Sequence, residues 1–521
     1  MVSLPKMPDS SLTARLRRGG SAALVATGIL TSRIAGLVRE RLLAHYLGAS
    51  GMADVYRAAI RIPQILQNLI GEGIIPASFV SVYGKLGDSE ASAETKRTLA
   101  WQSLAIIAAA TLFIVVAMSV FSGAIIEALT PGFDAETRVR TTTLFRWTIW
   151  GVAFWCLSAW AQSVLLAQRR YVLSNLGPFF WNLVMIAVLL GFGHELVEAR
   201  MPFVLGSAYL AGSLLMFGIL FAKSASSLGR YRRTKGVLPE TKVMLTNARQ
   251  LLAARTSIQL ASFFEIYTAS TLAVGTVASI AYAQFVSMLP LQVLGQAISS
   301  ADLADLARHA ERGYIASRIR ASLAKSAPYL AYFGFLFTVF AGESVTLVLQ
   351  GGRLSAPEAA LISALLWGLG WAVPAQNLNR LVSTYFYTTG QTKVAAWTST
   401  LRGAGYVVAA LVLTREWTGF GFGPNRGESL IAATTLSILL ESALLLHFLV
   451  RQVGWRVGLP LAEFGRQAAI GALAALLART LPLAAVTGSF FHAALRVALF
   501  SAAYGGLYLA LRRLRGAKAR E

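Results

Sequence analysis

A stripe of charged and polar side chains runs through a largely apolar segment between residues 53 and 84. At 100° per residue its members fall within an arc of about 80° on one helix face, and they are Asp54, Arg57, Arg61, Gln64, Asn68 and Glu72. The stripe rises roughly 27 Å, close to the thickness of a hydrocarbon core. An alternative is that Asp54 neutralises Arg57 on the same helix. Such an ion pair would account for the charges at only one end of the stripe. We therefore interpret the stripe as the wall of a water-filled cavity, where charged groups within a membrane are normally found.

The chemistry predicted for this cavity is anion binding. The preceding apolar segment adds Arg33 and Arg39, and guanidinium groups bind phosphate in a bidentate manner. The predicted contacts of an anionic headgroup are Arg33, Arg39, Arg57, Arg61, Gln64 and Asn68. The acids Glu40, Asp54 and Glu72 are predicted to gate the cavity through ion pairs. Pro63, halfway along the stripe, is predicted to bend its helix.

The second half of the chain lacks this pattern. A weak internal repeat places Gly48 over Gly275 and Pro63 over Pro290, and the charges of the stripe then fall on neutral residues. An anion site is therefore expected to be built mostly by the first half. Glu265 is the main acid within the membrane in the second half. It has two possible roles, a site for a coupling cation or proton, or a local hydrogen-bonded acid.

Other classes of protein find no support in the composition. Cys156 is the single cysteine, and the five histidines are scattered, so no metal site is predicted. The net charge of +23 would suit nucleic-acid binding by a soluble protein, but 55% of the residues are apolar and only 14% charged. We find no catalytic constellation and predict a transporter that is not an enzyme, with no cofactor other than a coupling cation or the membrane potential.

Fourteen apolar segments are long enough to cross a bilayer and are predicted to be helices. Their approximate bounds are 21–48, 53–84, 99–129, 141–168, 171–193, 203–223, 248–273, 277–307, 327–350, 358–388, 394–414, 428–450, 460–486 and 490–512. An even number of spans places both termini on one side. Lys and Arg are several times more frequent in the connections on that side, which predicts cytoplasmic termini.

The predicted architecture is an all-α polytopic membrane protein with two parallel six-helix bundles around a central cavity. Two extra helices follow at the C-terminal end. The predicted segments are a basic cytoplasmic N-terminus (1–20), an N-terminal bundle (21–223), a basic cytoplasmic linker (224–247), a C-terminal bundle (248–450), helices 13 and 14 (451–512) and a basic cytoplasmic tail (513–521).

A family resemblance is carried by a sharp set of motifs between residues 30 and 80. The stretch Ser32–Glu40, followed by Leu47–Ala49, Asp54, Arg61–Pro63 and Gly71–Gly73, resembles the opening of the MurJ (MviN) lipid II flippases. That family belongs to the multidrug/oligosaccharidyl-lipid/polysaccharide exporter superfamily. The resemblance implies a flippase that moves an undecaprenyl-diphosphate-linked disaccharide-pentapeptide from the inner to the outer leaflet by alternating access, in cell-wall biosynthesis.

The resemblance also implies roles for individual residues. Arg33 and Arg39 match the cavity arginines of the family's first helix, and Glu40 matches the adjacent acid. Asp54 and Glu72 match the acids of the second helix. Helices 13 and 14 match those that form a groove for the lipid tail.

Two departures from the family pattern keep the substrate open. Gln67-Asn68 stands where the family has an arginine pair, and Phe285, preceded by Gln284, stands where it has a further arginine. Arg57 and Arg61 are predicted to supply the missing charge. The alternatives are an exporter of another polyprenyl-linked glycan or a diverged MurJ-like paralogue. A cation-coupled small-molecule antiporter is disfavoured, because its cavity would be acidic.

The predicted location is the bacterial cytoplasmic (inner) membrane, crossed several times. The expected partners are the lipid-linked anionic saccharide and membrane lipids, and no nucleic acid. Cell-wall synthesis proteins are candidate partners, and a monomeric transporter is expected.

Overall fold

The computed structural model describes residues 12–87, 89–168, 170–195, 197, 200–229, 236–290, 312–388, 391–414, 427–453, 460–481 and 489–518. Helices make up the first half of this described chain. They are α1 (Leu12–Leu47), α2 (Gly51–Leu66), α3 (Ile75–Tyr83), α4 (Glu90–Val120), α5 (Ser122–Leu129), α6 (Ala135–Ala167), α7 (Tyr171–Asn175), α8 (Gly177–Phe192) and α9 (Met201–Leu228). A π-helical segment, Gln67–Ile74, joins α2 to α3.

The second half is also helical throughout its described residues. Its helices are α10 (Pro239–Ser270), α11 (Thr276–Pro290), α12 (Arg312–Val339), α13 (Ala341–Val348), α14 (Ala356–Gly370), α15 (Val373–Thr388), α16 (Thr392–Leu413), α17 (Gly427–Val453), α18 (Leu461–Thr480) and α19 (Ser489–Lys518). The all-α prediction is confirmed.

The helices follow the predicted spans closely over the described residues, outside which lie residues 291–307 of the eighth span and 482–486 of the thirteenth. Among the described helices, eight are long and apolar enough to cross a membrane by themselves. Two further spans arise if each bent pair is one crossing, with a 90° bend between α12 and α13 and a 47° bend between α14 and α15. The fold is therefore that of a polytopic membrane protein, while the count of fourteen stays a prediction.

Pro63 lies inside α2, and the predicted bend at this residue stays a prediction. The helix continues to Leu66 and then widens into the π-helical segment. Proline lacks an N–H group, so the carbonyl of Ala59, four residues earlier, loses its helical donor. The Thr148 hydroxyl of α6 lies 3.4 Å from that carbonyl oxygen and donates to it. The same hydroxyl also lies 3.1 Å from the carbonyl oxygen of Phe145 in α6, so the neighbouring helix compensates for the lost hydrogen bond only in part.

Helix α6 is the centre of the first half. It packs against α2, α4 and α9, and its residue Trp160 is fully buried. The Trp160 indole donates a 3.0 Å hydrogen bond to the carbonyl of Ala100 in α4. Gly151 of α6 faces the Tyr209 ring of α9, where a Cβ atom would collide with the ring. Small residues permit such close helix contacts in membranes, where apolar burial drives little association.

In the second half, α16 packs on α17, α14 on α12 and α17, and α18 on both α12 and α19. The Tyr332 ring of α12 stacks on Phe500 of α19 with 5.2 Å between centroids. Tyr504 of α19 donates a 2.7 Å hydrogen bond to the carbonyl of Pro328. The last two helices are therefore attached to the second half. Helix α10 contacts both α16 and the segment from α3 to α5, so it lies between the halves.

Candidate functional site: a charged cavity between two helical walls

A cavity of about 560 Å³ lies between the halves. We call the lining residues of α1 and α2 the first wall and those of α10, α11 and α14 to α17 the second wall. The polar residues of the first wall are Arg39, Glu40, Arg57, Arg61 and Gln64. Those of the second wall include Gln259, Ser262, Glu265, Gln284, Ser287, Gln376, Ser399, Arg402, Tyr406, Thr434 and Ser437.

Glu40 lies at the centre of the first wall and is buried. The Arg57 guanidinium of α2 binds both of its carboxylate oxygens, and Arg39 donates to Oε1 at 2.6 Å. A buried carboxylate requires such pairing, because its desolvation is otherwise too costly. The alternative of an Arg57–Asp54 pair on the same helix does not occur, since the partner comes from α1.

Arg39 is fixed from two further directions. Its Nη1 donates a 2.8 Å hydrogen bond to Oδ1 of Asn182 in α8, and its guanidinium lies 4.8 Å from the Trp181 ring centroid. Arg57 is placed in the same way over Tyr282 of α11, 4.6 Å from the ring centroid. Two arginines therefore share one acid, so this part of the first wall carries an excess positive charge.

An ion pair connects the two walls. Arg61 Nη2 of α2 lies 2.9 Å from Glu265 Oε1 of α10, and Gln284 of α11 donates to Glu265 Oε2 at 2.9 Å. Both oxygens of Glu265 are thus used by protein groups. This contact crosses the cavity, whereas the Arg57–Glu40 contact stays within the first wall.

One end of the cavity is closed by direct contacts between the halves. The Asp54 carboxylate accepts hydrogen bonds from the backbone N–H groups of Gly275 and Ala278, at 2.6 and 2.7 Å. These groups form the beginning of α11, where backbone donors lack partners within the helix and favour negative charge. Asp54 therefore caps a helix of the opposite half. Nearby, the Tyr282 hydroxyl donates to the carbonyl of Gly48 at 3.2 Å.

Gly275 is required for this closure. Its φ is +88°, a left-handed conformation that side chains disfavour. A Cβ atom there would overlap the carbonyl oxygen of Ala49. Gly275 thus lies directly against the backbone of Ala49, with no room for a side chain.

Arg402 is a cavity residue that was not predicted from the sequence. This arginine of α16 faces the cavity, and its Nη1 lies 3.0 Å from Oε2 of Glu441 in α17. Glu441 also accepts hydrogen bonds from Asn379 and Ser399, each at 2.9 Å. A charged residue within an apolar helix was the available signal. The partner could not be assigned, because it lies on another helix 39 residues away.

The structure brings most of the predicted site residues together. Arg39, Glu40, Arg57, Arg61, Gln64 and Glu265 line one cavity. Arg33, Asn68 and Asp54 are not among its described lining residues; Asn68 is exposed, and Asp54 lies at the closed end. The Glu72 side chain lies outside the described residues. The expectation that the first half supplies most of the cavity's positive charge holds for the described lining, where Arg402 is the second wall's arginine.

The arrangement suits reversible binding of an anion. In the described lining, four arginines face two acids, with Glu441 behind Arg402. Within the part of the chain that the structure describes, no group of three or more His, Cys, Asp or Glu side chains could hold a metal ion.

Comparisons with known sequences agree with this picture. The sequence model of the family described as "Lipid II flippase MurJ" matches residues 43–502. A "Probable lipid II flippase MurJ" of Aquifex aeolicus is 25% identical over 374 residues, covering 71% of this chain and 72% of that protein. Another of that description, from Bdellovibrio bacteriovorus, is 26% identical over 447 residues, covering 82% and 81%.

Solved structures share the fold. A chain described as lipid II flippase MurJ in an inward closed conformation superposes with a TM-score of 0.76 at 19% identity, covering 94% of this chain and 99% of that one. An inward-facing multidrug transporter of the MATE family and MOP superfamily gives a TM-score of 0.63 at 15% identity, covering 83% and 98%.

Proposed function

Because the chain belongs to the MurJ family of lipid II flippases, we propose that its charged cavity carries the diphosphate-linked headgroup of lipid II across the bacterial inner membrane. The protein is a transporter that moves its lipid-linked substrate from the inner to the outer leaflet and makes or breaks no covalent bond. The observation that carries the proposal is the cluster of Arg39, Arg57 and Arg61 on one cavity wall. Lipid II is an anion of the class that such a cluster binds.

The headgroup binds by replacing a protein acid. Arg61 is held by Glu265 across the cavity, and a phosphate group is an alternative partner for the same guanidinium. Arg57 keeps Glu40 as its partner, because both belong to the same wall and neither can leave without stranding a buried charge. Substrate binding therefore exchanges the cross-cavity ion pair and leaves the pair within the wall intact.

Alternating access requires the closed end to open. Opening breaks the two hydrogen bonds from the beginning of α11 to Asp54 and the contact between Tyr282 and Gly48. With both termini in the cytoplasm, as proposed from the distribution of basic residues, this end faces outward and the structure is a cytoplasm-facing state. Asp54 is then the residue whose hydrogen bonds hold the outward end of the cavity closed.

The energy source is proposed to act through Glu265 or through the membrane potential. Both oxygens of Glu265 are occupied by Arg61 and Gln284. A coupling cation or proton would reach the carboxylate only after Arg61 has left it. Substrate binding to Arg61 would therefore precede cation or proton uptake.

The test is complementation in a bacterium depleted of its own lipid II flippase. The expected result is restored growth and lipid II that an externally added lipid II hydrolase can cleave. Arg61→Ala should abolish most of this rescue, while Arg140→Ala, an arginine outside the cavity, should retain it. Accumulation of lipid II in the inner leaflet despite normal protein levels would contradict the proposal. Transport of another polyprenyl-diphosphate glycan in vesicles would then identify an exporter of a different substrate.

A further inference from the structure

The second wall presents one arginine to the cavity among its described lining residues. Ser399, Arg402 and Tyr406 recur every three or four residues along α16 and share one helix face toward the cavity. The Arg402 side chain is 39% exposed, against 21% for Arg61, 16% for Arg39 and 8% for Arg57. Arg402 is thus the most accessible of the four arginines in the described lining.

A rigid anchor holds Arg402 from behind. The Glu441 carboxylate is buried and accepts hydrogen bonds from Asn379 of α15 and Ser399 of α16. Asn379 in turn accepts a 2.6 Å hydrogen bond from Ser442 of α17. The anchor therefore joins three helices. Arg402 donates to the Glu441 carboxylate through Nη1. Because a guanidinium group has five N–H donors, the Glu441 contact uses only part of its donor capacity.

The neighbouring parts of the second wall are neutral or acidic. Helix α11 contributes Gln284, Phe285 and Met288, and α10 contributes Glu265. An anion bound only by the first wall would lie against an acid and uncharged groups on the other side. A ligand shifts an equilibrium between two states only if it contacts them differently. A substrate that contacts both halves in one state and only one of them in the other meets this condition, and a charged group on the second wall would supply the additional contact.

We propose that Arg402, positioned by Glu441, is the second-wall contact of the substrate's anionic headgroup. The proposal rests on the proposed function and assigns a binding residue within the same cavity. Arg402 binds the headgroup through the donors that Glu441 does not use. Glu441 does not touch the substrate and acts as a positioning residue.

The experiment distinguishes an effect on binding from an effect on folding by comparing a single variant with a double variant that lacks both charges of the ion pair. Binding of radiolabelled lipid II and thermal stability are measured on the purified full-length protein in nanodiscs. Arg402→Gln strands the buried Glu441 carboxylate, so stability and binding both fall. The double variant Arg402→Gln/Glu441→Gln removes both charges and restores thermal stability close to the wild-type value. Its affinity for lipid II stays at least about tenfold weaker, because a charge-assisted contact is lost.

Arg402→Lys provides the conservative comparison. Lysine keeps the charge but lacks the planar fork, so its affinity should fall between those of the wild type and Arg402→Gln. Wild-type affinity in the double variant would overturn the assignment of Arg402 while leaving the proposed function intact. Absence of lipid II binding by the wild-type protein would overturn both.

Discussion

The two walls of the cavity carry charge in different ways. In the first wall, Arg39 and Arg57 share Glu40, and all three are largely buried. In the second wall, Arg402 is more exposed and its acid, Glu441, is buried behind it. Both ion-pair clusters are internal to one wall. The contacts that alternating access would break are those between the halves, and they include Arg61 to Glu265, Asp54 to the beginning of α11 and Tyr282 to Gly48.

The position of an ion pair, within one wall or across the cavity, separates the two kinds. In the proposed mechanism, a pair within a wall stays intact during transport. A pair across the cavity is exchanged for substrate. Substitutions on the two kinds of pair should therefore differ in their effects.

The largest expected effect is that of Arg57→Ala in the first wall. The substitution leaves Glu40 buried with Arg39 as its remaining arginine, so it costs part of the about 3–5 kcal/mol that a buried charge left without any partner would cost. We expect a clear drop in thermal stability and loss of lipid II transport. Arg57→Lys, which keeps the charge, should retain more of both. Normal stability of Arg57→Ala would show that the pair does not fix the wall.

Gly275→Ala should act next most strongly, through the contact between the halves. A left-handed conformation costs a side chain about 1–2 kcal/mol, and the new methyl group would also overlap the Ala49 carbonyl. The closed end should open at least about tenfold more often. The measurement is the reactivity of a cysteine placed at Ser50 toward a membrane-impermeant thiol reagent, with Cys156 replaced by Ala.

A matched control for this prediction is Gly123→Ala in α5, where an added Cβ meets no neighbour within 4 Å. In this control variant, the cysteine placed at Ser50 should react with the thiol reagent at the same rate as in the protein without the Gly123 substitution. Equal reactivity of the Gly275 and Gly123 variants would contradict the role of the closed end as a gate.

Breaking the cross-cavity pair should have a smaller effect on stability than on transport. Arg61→Ala removes a charge-assisted contact of about 1.5–3 kcal/mol, so transport should fall about tenfold or more. Glu265→Gln keeps hydrogen-bonding atoms and should lose less. A double-mutant cycle in a vesicle flipping assay measures their coupling. Independent effects of the two substitutions would show that the pair is not exchanged during transport.

The smallest effect is expected outside both walls. Arg140 forms an exposed ion pair with Glu136 one helical turn away, at 2.6 Å. Such surface pairs contribute about 0–1 kcal/mol. Arg140→Ala should therefore leave thermal stability and transport unchanged. A loss of transport comparable to that of Arg61→Ala would mean that net positive charge, rather than the position of the arginines, determines activity.

The sequence predicted the helices and much of the first wall from periodicity. Apolar runs of sufficient length indicate helices, because a backbone in lipid must satisfy its own hydrogen bonds. Arg57, Arg61 and Gln64 share one helix face, and the 100° repeat alone places them together. The same reasoning also included Asn68, which is not among the described lining residues of the cavity. Its predicted role stays a prediction, because helical spacing defines a face but not how far along that face a cavity extends.

Partners on other helices could not be predicted. Asp54 stands three residues before Arg57, which suggested a local ion pair, yet it caps α11 more than 200 residues later in the chain. Pro63 was expected to bend its helix, and a hydroxyl from α6 compensates in part for its missing N–H group. Arg402 and Glu441 lie on separate helices, and nothing in the local pattern of either one identifies the other.

The sequence by itself determined the class of this protein, its helical elements and the family to which it belongs. These follow from hydrophobic length, helical period and local motifs, all of which are properties of short segments. Tertiary structure alone decided which acid each arginine faces, and therefore which ion pairs lie within one wall and which join the two walls. The physical reason is that pairing energies depend on distance and burial, and both are set only when helices distant in the chain pack together.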